Sequence, residues 1–382
     1  MSDVSAERTG IALTERQRLA WLRLIRSDNV GPATFRDLIN HFGSAETALD
    51  MLPELSRRGG SARSIRVATP GEAEREMQMA SRLGARFVGI GEPDYPVALR
   101  QIEGAPPLLT IKGRLQTAAL PALGIVGSRN ASIAGGKFAA MMAREVGGAG
   151  YAIISGLARG IDTAAHRASL ETGTIAALAG GLDRAYPPEN VRLLDEITGG
   201  NGLAITEMPL GWEPRARDFP RRNRLIAGVS LGLLVVEAAQ RSGSLITARY
   251  AADFGRIVFA VPGSPLDPRS HGTNRLIKDG ATLTSEARDI LEVLAPISRI
   301  DLFSQQQAEE PENTAPPPQA PPSDDERAAI VDALGPTPVD IDDIIRHTGA
   351  PASTVYLILL ELDLAGRLHR HVGGLVSLDL TL

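Results

Sequence analysis

Arginine dominates the residues of this chain that can do chemistry. Arg215, Arg217, Arg221, Arg222 and Arg224 crowd one short segment with a single aromatic, Phe219, among them. A guanidinium takes a phosphate through paired N–H bonds and an aromatic face stacks on a base, so Asp218–Arg224 (D-F-P-R-R-N-R) suits single-stranded nucleic acid. The plainer reading is that Phe219 plugs a core and the arginines open a solvated helix. A second stretch, A-L-G-I-V-G-S-R-N-A-S from Ala122 to Ser132, ends an apolar run in small residues at a helix start, with Arg129 beside them. Free backbone N–H groups and a cation there favour an anion, above all a phosphate. Beside that stands the alternative that Gly127 only turns the chain and Arg129 is solvated.

Three further constellations are weaker. Asp162 and His166 stand four apart and share a helix face, which points to hydrogen-bonding support; a metal would want a further ligand, and no H-E-x-x-H cluster exists. Glu237 ends L-L-V-V-E, where it can be a general base, a ribose ligand or an arginine's partner. Ser242 and Ser244 flank Gly243 and can donate to phosphate. G-x-S-x-G and G-x-x-x-x-G-K-[ST] are absent, and the first turn lacks G-x-G-x-x-G, which disfavours NAD and leaves no cofactor expected.

Stepping these residues into position requires more than one domain. The chain has 382 residues, 43% hydrophobic and 22% charged, enough for two or three domains including one with a large sheet. With no cysteine, disulfides, thiolate metal sites and a cysteine nucleophile are excluded. No apolar core of a signal peptide and no bilayer-length apolar run occur, so a cytoplasmic protein with no membrane partner is expected. The net charge of -5 argues mildly against a polyanion partner. The signs are unevenly spread, however: arginines gather around Phe219, and acids at Glu309, Glu310, Glu312, Asp324, Asp325 and Glu326.

Apolar runs recur at Leu123–Val126, Tyr151–Ile154, Thr174–Leu178, Leu203–Thr206, Gly232–Val236 and Ile257–Val261, separated mostly by helical patterns such as Gly136–Val146 and Thr163–Thr172. Strand and helix at this spacing predict a Rossmann-like, doubly wound parallel α/β sheet. Every run ends in small or polar residues, and in such a sheet those ends share one rim, where ligands bind. Helical patterns at Glu72–Leu83 and strands at Ala85–Ile90 and Leu108–Ile111 lead into it.

Residues Leu19–Leu55 predict a small helical domain of the helix-hairpin-helix or sterile-alpha-motif kind, with Gly31 and Pro32 in its turn; a packing or dimerisation appendage is the alternative. After Leu294 a Pro-rich stretch reads as a disordered linker. Glu326–Leu334, Asp340–Thr348, Ala352–Ala365 and a terminal hairpin then predict a winged helix. Its third helix, S-T-V-Y-L-I-L-L-E-L-D, is apolar and acidic where a groove reader carries Arg, Lys, Asn or Gln, which favours contact with protein over DNA. The expected boundaries are 1–70 (helical), 71–298 (Rossmann-like), 299–324 (linker) and 325–382 (winged helix).

Six ordered motifs, I-V-G-S-R-N-A-S, I-I-S-G-L-A-R-G-I-D-T-A-A-H, A-G-G-L-D-R-A-Y-P-P-E-N, F-P-R-R-N-R-L-I-A-G, V-V-E-A-A-Q-R-S-G-S-L-I-T-A and V-F-A-V-P-G-S, resemble the DNA-processing protein A (DprA, or Smf) family over about Gly91 to Ala281. The resemblance implies a Rossmann-type protein that binds single-stranded DNA, forms a homodimer and brings the recombinase RecA onto incoming DNA in natural transformation, without catalysis. It further implies that Gly127, Ser128 and Arg129 line a phosphate pocket, that Ser155, Gly156 and Gly160 form its adjoining turn, and that Phe219, Arg221, Asn223 and Arg224 make a strand-binding face. The rival reading is an enzyme like the lysine-decarboxylase-like phosphoribohydrolases. Their P-G-G-x-G-T-x-x-E stretch is missing, and Glu237 is the acid that would have to serve.

Overall fold

The computed structural model describes residues 12–299, 322–371 and 373–379. The expected linker lies almost entirely outside the described residues. Two compact units emerge, one built from residues 76–299 and the other from residues 13–75 together with 322–379; the division falls inside one helix, α4.

The larger unit begins with α4 (Pro70–Arg82), β1 (Ala85–Gly89), the short α5 (Val97–Arg100) and β2 (Leu108–Gly113), which follow three helices of the other unit. The regular alternation then runs β3 (Ala122–Val126), α6 (Ile133–Gly148), β4 (Ala152–Ser155), α7 (Ile161–Ala168), β5 (Thr174–Ala177), α8 (Val191–Gly199), β6 (Leu203–Thr206), α9 (Asp218–Val229), β7 (Gly232–Val235), α10 (Gly243–Asp253), β8 (Ile257–Ala260), α11 (His271–Lys278), β9 (Thr282–Leu283) and α12 (Ala287–Arg299). All six strands expected from the apolar runs are present. They form a sheet of order β1-β2-β6-β5-β4-β3-β7-β8-β9, parallel from β6 to β9 and closed at the other edge by β1 and β2, which are antiparallel.

The central strands are apolar on both sides because both sides are covered. Leu123 and Ile125 of β3 pack with Ala139, Met142 and Val146 of α6 and with Ile290 and Leu294 of α12. Val126 enters the opposite layer with Leu225, Ile226 and Val229 of α9 and with Ala248 and Ala251 of α10. Period-two alternation along one strand thus feeds two cores.

In the second unit, α1 (Glu15–Ile25), α2 (Pro32–Phe42) and α3 (Ala45–Arg58) are the expected helical domain. Thr14 caps α1 in a reciprocal arrangement with Gln17, and Gly31 with Pro32 starts α2. The winged helix comprises α13 (Asp324–Asp332), β10 (Val339–Asp340), α14 (Ile341–Thr348), α15 (Ala352–Leu364), β11 (Leu368–Arg370) and β12 (Leu375–Leu378). Its sheet has order β10-β12-β11, so a two-residue strand joins the expected hairpin. The two end domains form a single unit with a shared core. Among the described residues no helix is long and apolar enough to cross a membrane.

Candidate functional site

Chain connections from β3 run first toward β4, β5 and β6 on one side, then return to place β7 on the other. The crevice at such a reversal, outside the carboxyl ends of the strands, is where open α/β sheets hold ligands. Backbone bonds draw the loops together there. Ile161 N–H donates to Ser128 O at 3.2 Å, Gly181 N–H to Trp212 O at 3.1 Å and Ala238 N–H to Arg269 O at 2.7 Å. Loops after β3 and β4, after β5 and β6, and after β7 and β8 are thus tied in pairs along this rim.

Phe219, at the start of α9, sits among groups from two of these loops and its own helix. The Arg129 guanidinium carbon lies 5.3 Å from its ring centroid, and that of Arg222 lies 5.9 Å from it. Tyr186, 47% exposed, meets the ring edge-to-face at 5.6 Å and 67°. Nearby, Arg215 lies 4.8 Å over the ring of Trp212, whose indole N–H donates to Asp218 at 2.9 Å. Arg129, Arg215, Arg217 and Arg241 are exposed on the rim, outside any ion pair among the described residues.

Under this surface lies a set of inward-facing braces. Arg222 is buried, donating to Ala177 O at 2.9 Å and to Gly156 O, so one side chain ties the ends of β4 and β5; its Nε has no partner among the described residues. Burial pushes Arg222 down to about 10, with Asp162 acting against that shift and Arg129 adding to it; the group stays charged at neutral pH. Asp162 accepts from Gly156 N–H at 3.0 Å and Ala158 N–H at 3.3 Å, and its burial raises its pKa. His166 accepts from Leu157 N–H at 3.3 Å through Nε2, which assigns the proton to Nδ1, 2.8 Å from Thr174 Oγ1. Burial, with Arg222 adding, pushes His166 down to about 3, so its ring is neutral. Gly160 closes this turn at φ 75°, a left-handed conformation that glycine adopts without penalty. Ser155 is fully buried and donates to Ile125 O at 2.6 Å.

Two expectations for the face are corrected. Asn223 is buried and donates to Gly243 O at 3.3 Å. Arg224 donates to Gly104 O and pairs with Glu207 at 2.9 Å, its side chain 16% exposed. Asn223 turns toward the start of α10, and Arg224 toward the loop before β2 and the acid after β6. Arg221 is half exposed but also pairs with Glu207, at 2.8 Å. Glu207, the buried acid following β6, thus takes two of the five arginines; its signal was the acid in T-E-M-P, which the sequence reading did not link to them. Tyr186 was missed as well, and Arg222, read as one of the arginines beside Phe219, is instead a buried brace. Tyr186 carried a signal as an aromatic between a glycine-rich turn and two prolines.

Glu237 is committed to the start of α6. Its carboxylate accepts from Ser132 N–H at 3.0 Å and Ser132 Oγ–H at 2.5 Å, and Ser132 Oγ in turn accepts from Gly135 N–H at 2.8 Å. An acid is stabilised there by the helix dipole, and both oxygens are occupied. Ser242 caps α10, accepting from Ser244 N–H at 3.3 Å, with the two hydroxyls 2.7 Å apart. Gly127 and Ser128 are partly exposed beside Arg129, and Ser128 Oγ accepts from Asn130 N–H at 3.2 Å. Among the described residues no group of three or more His, Cys, Asp or Glu side chains can hold a metal ion.

Comparison with known proteins agrees with this architecture part by part. Residues 86–295 match the model of the DNA recombination-mediator protein A family, residues 15–79 the DprA-like N-terminal HHH domain and residues 314–374 the DprA winged helix domain. Protein Smf of Escherichia coli (strain K12) is 40% identical over 288 residues, 74% of this chain and 75% of that protein. DNA processing protein DprA of Streptococcus pneumoniae is 46% identical over 199 residues, 52% of this chain and 70% of that one. The X-ray structure of the S. pneumoniae protein superposes with a TM-score of 0.60 at 35% identity, covering 74% of this chain and 98% of that chain. DNA processing protein A from Helicobacter pylori, whose solved structure is described as giving insight into its single-stranded DNA binding mode, superposes with a TM-score of 0.51 at 26% identity, covering 56% of this chain and 96% of that one. The sheet, its two flanking modules and these matches lead to one conclusion: the chain belongs to the DprA (Smf) family of DNA-processing proteins.

Proposed function

We propose that this protein binds single-stranded DNA at the rim around Phe219 and performs no bond-breaking there. The observation that carries the reading is the Arg129 guanidinium resting 5.3 Å from the Phe219 centroid, an exposed cation and an aromatic face in one place. An exposed cation–π contact is worth about 0.5–1 kcal/mol, whereas base stacking on an aromatic is worth about 1–3 kcal/mol. An incoming base therefore displaces the guanidinium from the ring. Arg129 swings the short distance to the flanking phosphate, so the free protein holds in reserve the two groups a nucleotide uses. Gly127 and Ser128, and Ser242 with Ser244 at the start of α10, supply N–H and hydroxyl donors along the same rim. Arg221 adds charge from its exposed end. Neighbouring Arg215 and Arg217 extend the cationic track, and the Helicobacter relative's binding mode supports the same ligand class.

In the same reading the protein self-associates as a homodimer and delivers the bound strand to RecA, the role that the family resemblance implies for natural transformation. Adding the protein should then speed RecA filament formation on single strands, as counted by electron microscopy. The rival, a phosphoribohydrolase, needs Glu237 free, and both its oxygens cap α6. Titrating labelled single-stranded and duplex oligonucleotides at two salt concentrations tests the binding directly. Preference for single strands with affinity falling as salt rises supports it; equal, salt-insensitive affinity for both overturns it. Incubation with mononucleotides tests the rival: Glu237-dependent release of free base would establish an enzyme.

A further inference from the structure

The winged helix presents only the start of its third helix to solvent: Ala352, Ser353 and Tyr356 are exposed, while every residue from Ile358 to Leu364 is buried or half-buried. Helix α15 is apolar on two faces along its later turns, and each of those faces is covered. Val355, Ile358, Leu359 and Leu362 face the winged helix's own core with Ile330, Ile344 and Val376. Leu360 and Leu364 instead enter the core of the N-terminal helices, against residues that include Leu24, Phe35, Leu38 and Leu52, with Leu357 packed at its edge.

Polar groups close the same seam. Asn29 Nδ2 donates to Leu364 O at 2.9 Å and Ser56 Oγ to the same oxygen at 3.3 Å, which satisfies a carbonyl at the helix's last turn. The two acids of α15, which would repel phosphate in a groove, are both held in ion pairs with arginines of the winged helix. Asp363 accepts from Thr34 Oγ1 at 2.8 Å and from Arg370 Nε at 2.8 Å, while Arg370 also pairs with Asp37 at 2.8 Å. Glu361, fully buried, pairs with Arg327. At the end of α3, Gly59 lies so close to α15 that a Cβ built on it would stand 1.9 Å from Glu361 O.

We propose that the winged helix of this chain is an intramolecular docking module whose partner is the helical domain of residues 13–75. From Ile358 on, the helix that such a domain lays in a DNA groove is taken up by protein contact. The proposed role of the end unit is to fasten residues 13–75 and 322–379 to each other, with no part in gripping duplex DNA. This inference is independent of the single-strand site at the rim.

Gly59→Ala tests it in the full-length protein. Gly59 sits at φ -66° and ψ -5°, where alanine is unstrained, so the substitution leaves the helical domain intact and collides only with α15. Leu360→Lys is the second variant, placing a charge on the docking face and outside the winged helix's own core. Hydrogen–deuterium exchange of peptides covering 352–364 is read at two protein concentrations, alongside anisotropy with labelled duplex DNA. The expected result is exchange at least tenfold faster for α15 in both variants, unchanged exchange for β3 and β7, wild-type protection that does not depend on concentration, and duplex affinity within twofold of wild type. Unchanged protection of α15 in both variants overturns the docking. Protection lost on dilution of the wild type moves the contact between copies and overturns its intramolecular character. A tenfold gain in duplex affinity makes α15 a masked groove reader and overturns the assigned role.

Discussion

Replacing Arg129 with alanine removes the exposed guanidinium above Phe219 while leaving the braces beneath the ring in place. Its cost to folding is expected to be small: the contact with the ring is an exposed cation–π pair worth about 0.5–1 kcal/mol. Part of that cost is returned, since Arg129 is one of the charges that oppose Arg222. The cost to binding is expected to be larger. A charge-assisted phosphate contact is worth about 1.5–3 kcal/mol, or about 10- to 150-fold in Kd. Losing one phosphate partner on a single strand should also lower the slope of log K against log salt by about 0.7. Arg129→Lys, which keeps the charge and loses the planar stack, should keep the slope and recover part of the affinity. Anisotropy titrations of labelled oligo-dT at several salt concentrations, with thermal unfolding of each variant alongside, separate the two costs. Affinity within twofold of wild type at an unchanged slope would refute the reasoning, as would a loss of affinity that merely tracks unfolding.

Tyr186 offers a second test of the same surface: Tyr186→Ala is expected to weaken oligo-dT binding by about 1 kcal/mol or more through lost stacking, with Tyr186→Phe near wild type, since a ring suffices. Equal losses in the two variants would assign the contribution to the hydroxyl instead. At Gly156, a built Cβ would stand 1.9 Å from Arg222 Nη1, so Gly156→Ala displaces a buried cation from Gly156 O, Ala177 O and the neighbourhood of Asp162. About 1.5–3 kcal/mol of stability is expected to be lost, measured by denaturant unfolding; a loss below 0.5 kcal/mol, on the order of a neutral surface change, would show that the tie is dispensable. His166 predicts a pH dependence, because its folded pKa of about 3 lies below its unfolded value of 6.5. The unfolded chain binds the extra proton, so the stability this group contributes is complete above pH 6.5 and declines as pH falls from there toward 3, by up to about 1.4 kcal/mol per unit. Thermal unfolding between pH 7.5 and 5 should show a shallower decline in His166→Gln, and an identical decline would remove His166 as its source.

Much of this architecture was legible in the residues themselves. Six apolar runs, each ending in small or polar residues, were enough to define the parallel strands and the rim they share, because β-branched runs of that length between helical patterns have few other solutions. The motif G-S-R after Val126 and the lone aromatic before R-R-N-R marked two parts of one surface, and the acidic, apolar character of the last winged-helix helix already spoke against groove reading. Strands of two residues, Thr282–Leu283 and Val339–Asp340, carry no period and were not foreseen.

Partners across the fold were another matter. That Glu207 takes Arg221 and Arg224, that Arg222 turns inward while Arg129 stays out, and that α15 docks on residues 13–75 all depend on which groups the packed chain brings within a few ångströms of each other. Local order along the chain is written in periodicity and turn chemistry, which act over a handful of residues. Which charge is neutralised, which ring stays open and which helix face is covered are settled by contacts between segments remote in sequence, and only the tertiary structure supplies those.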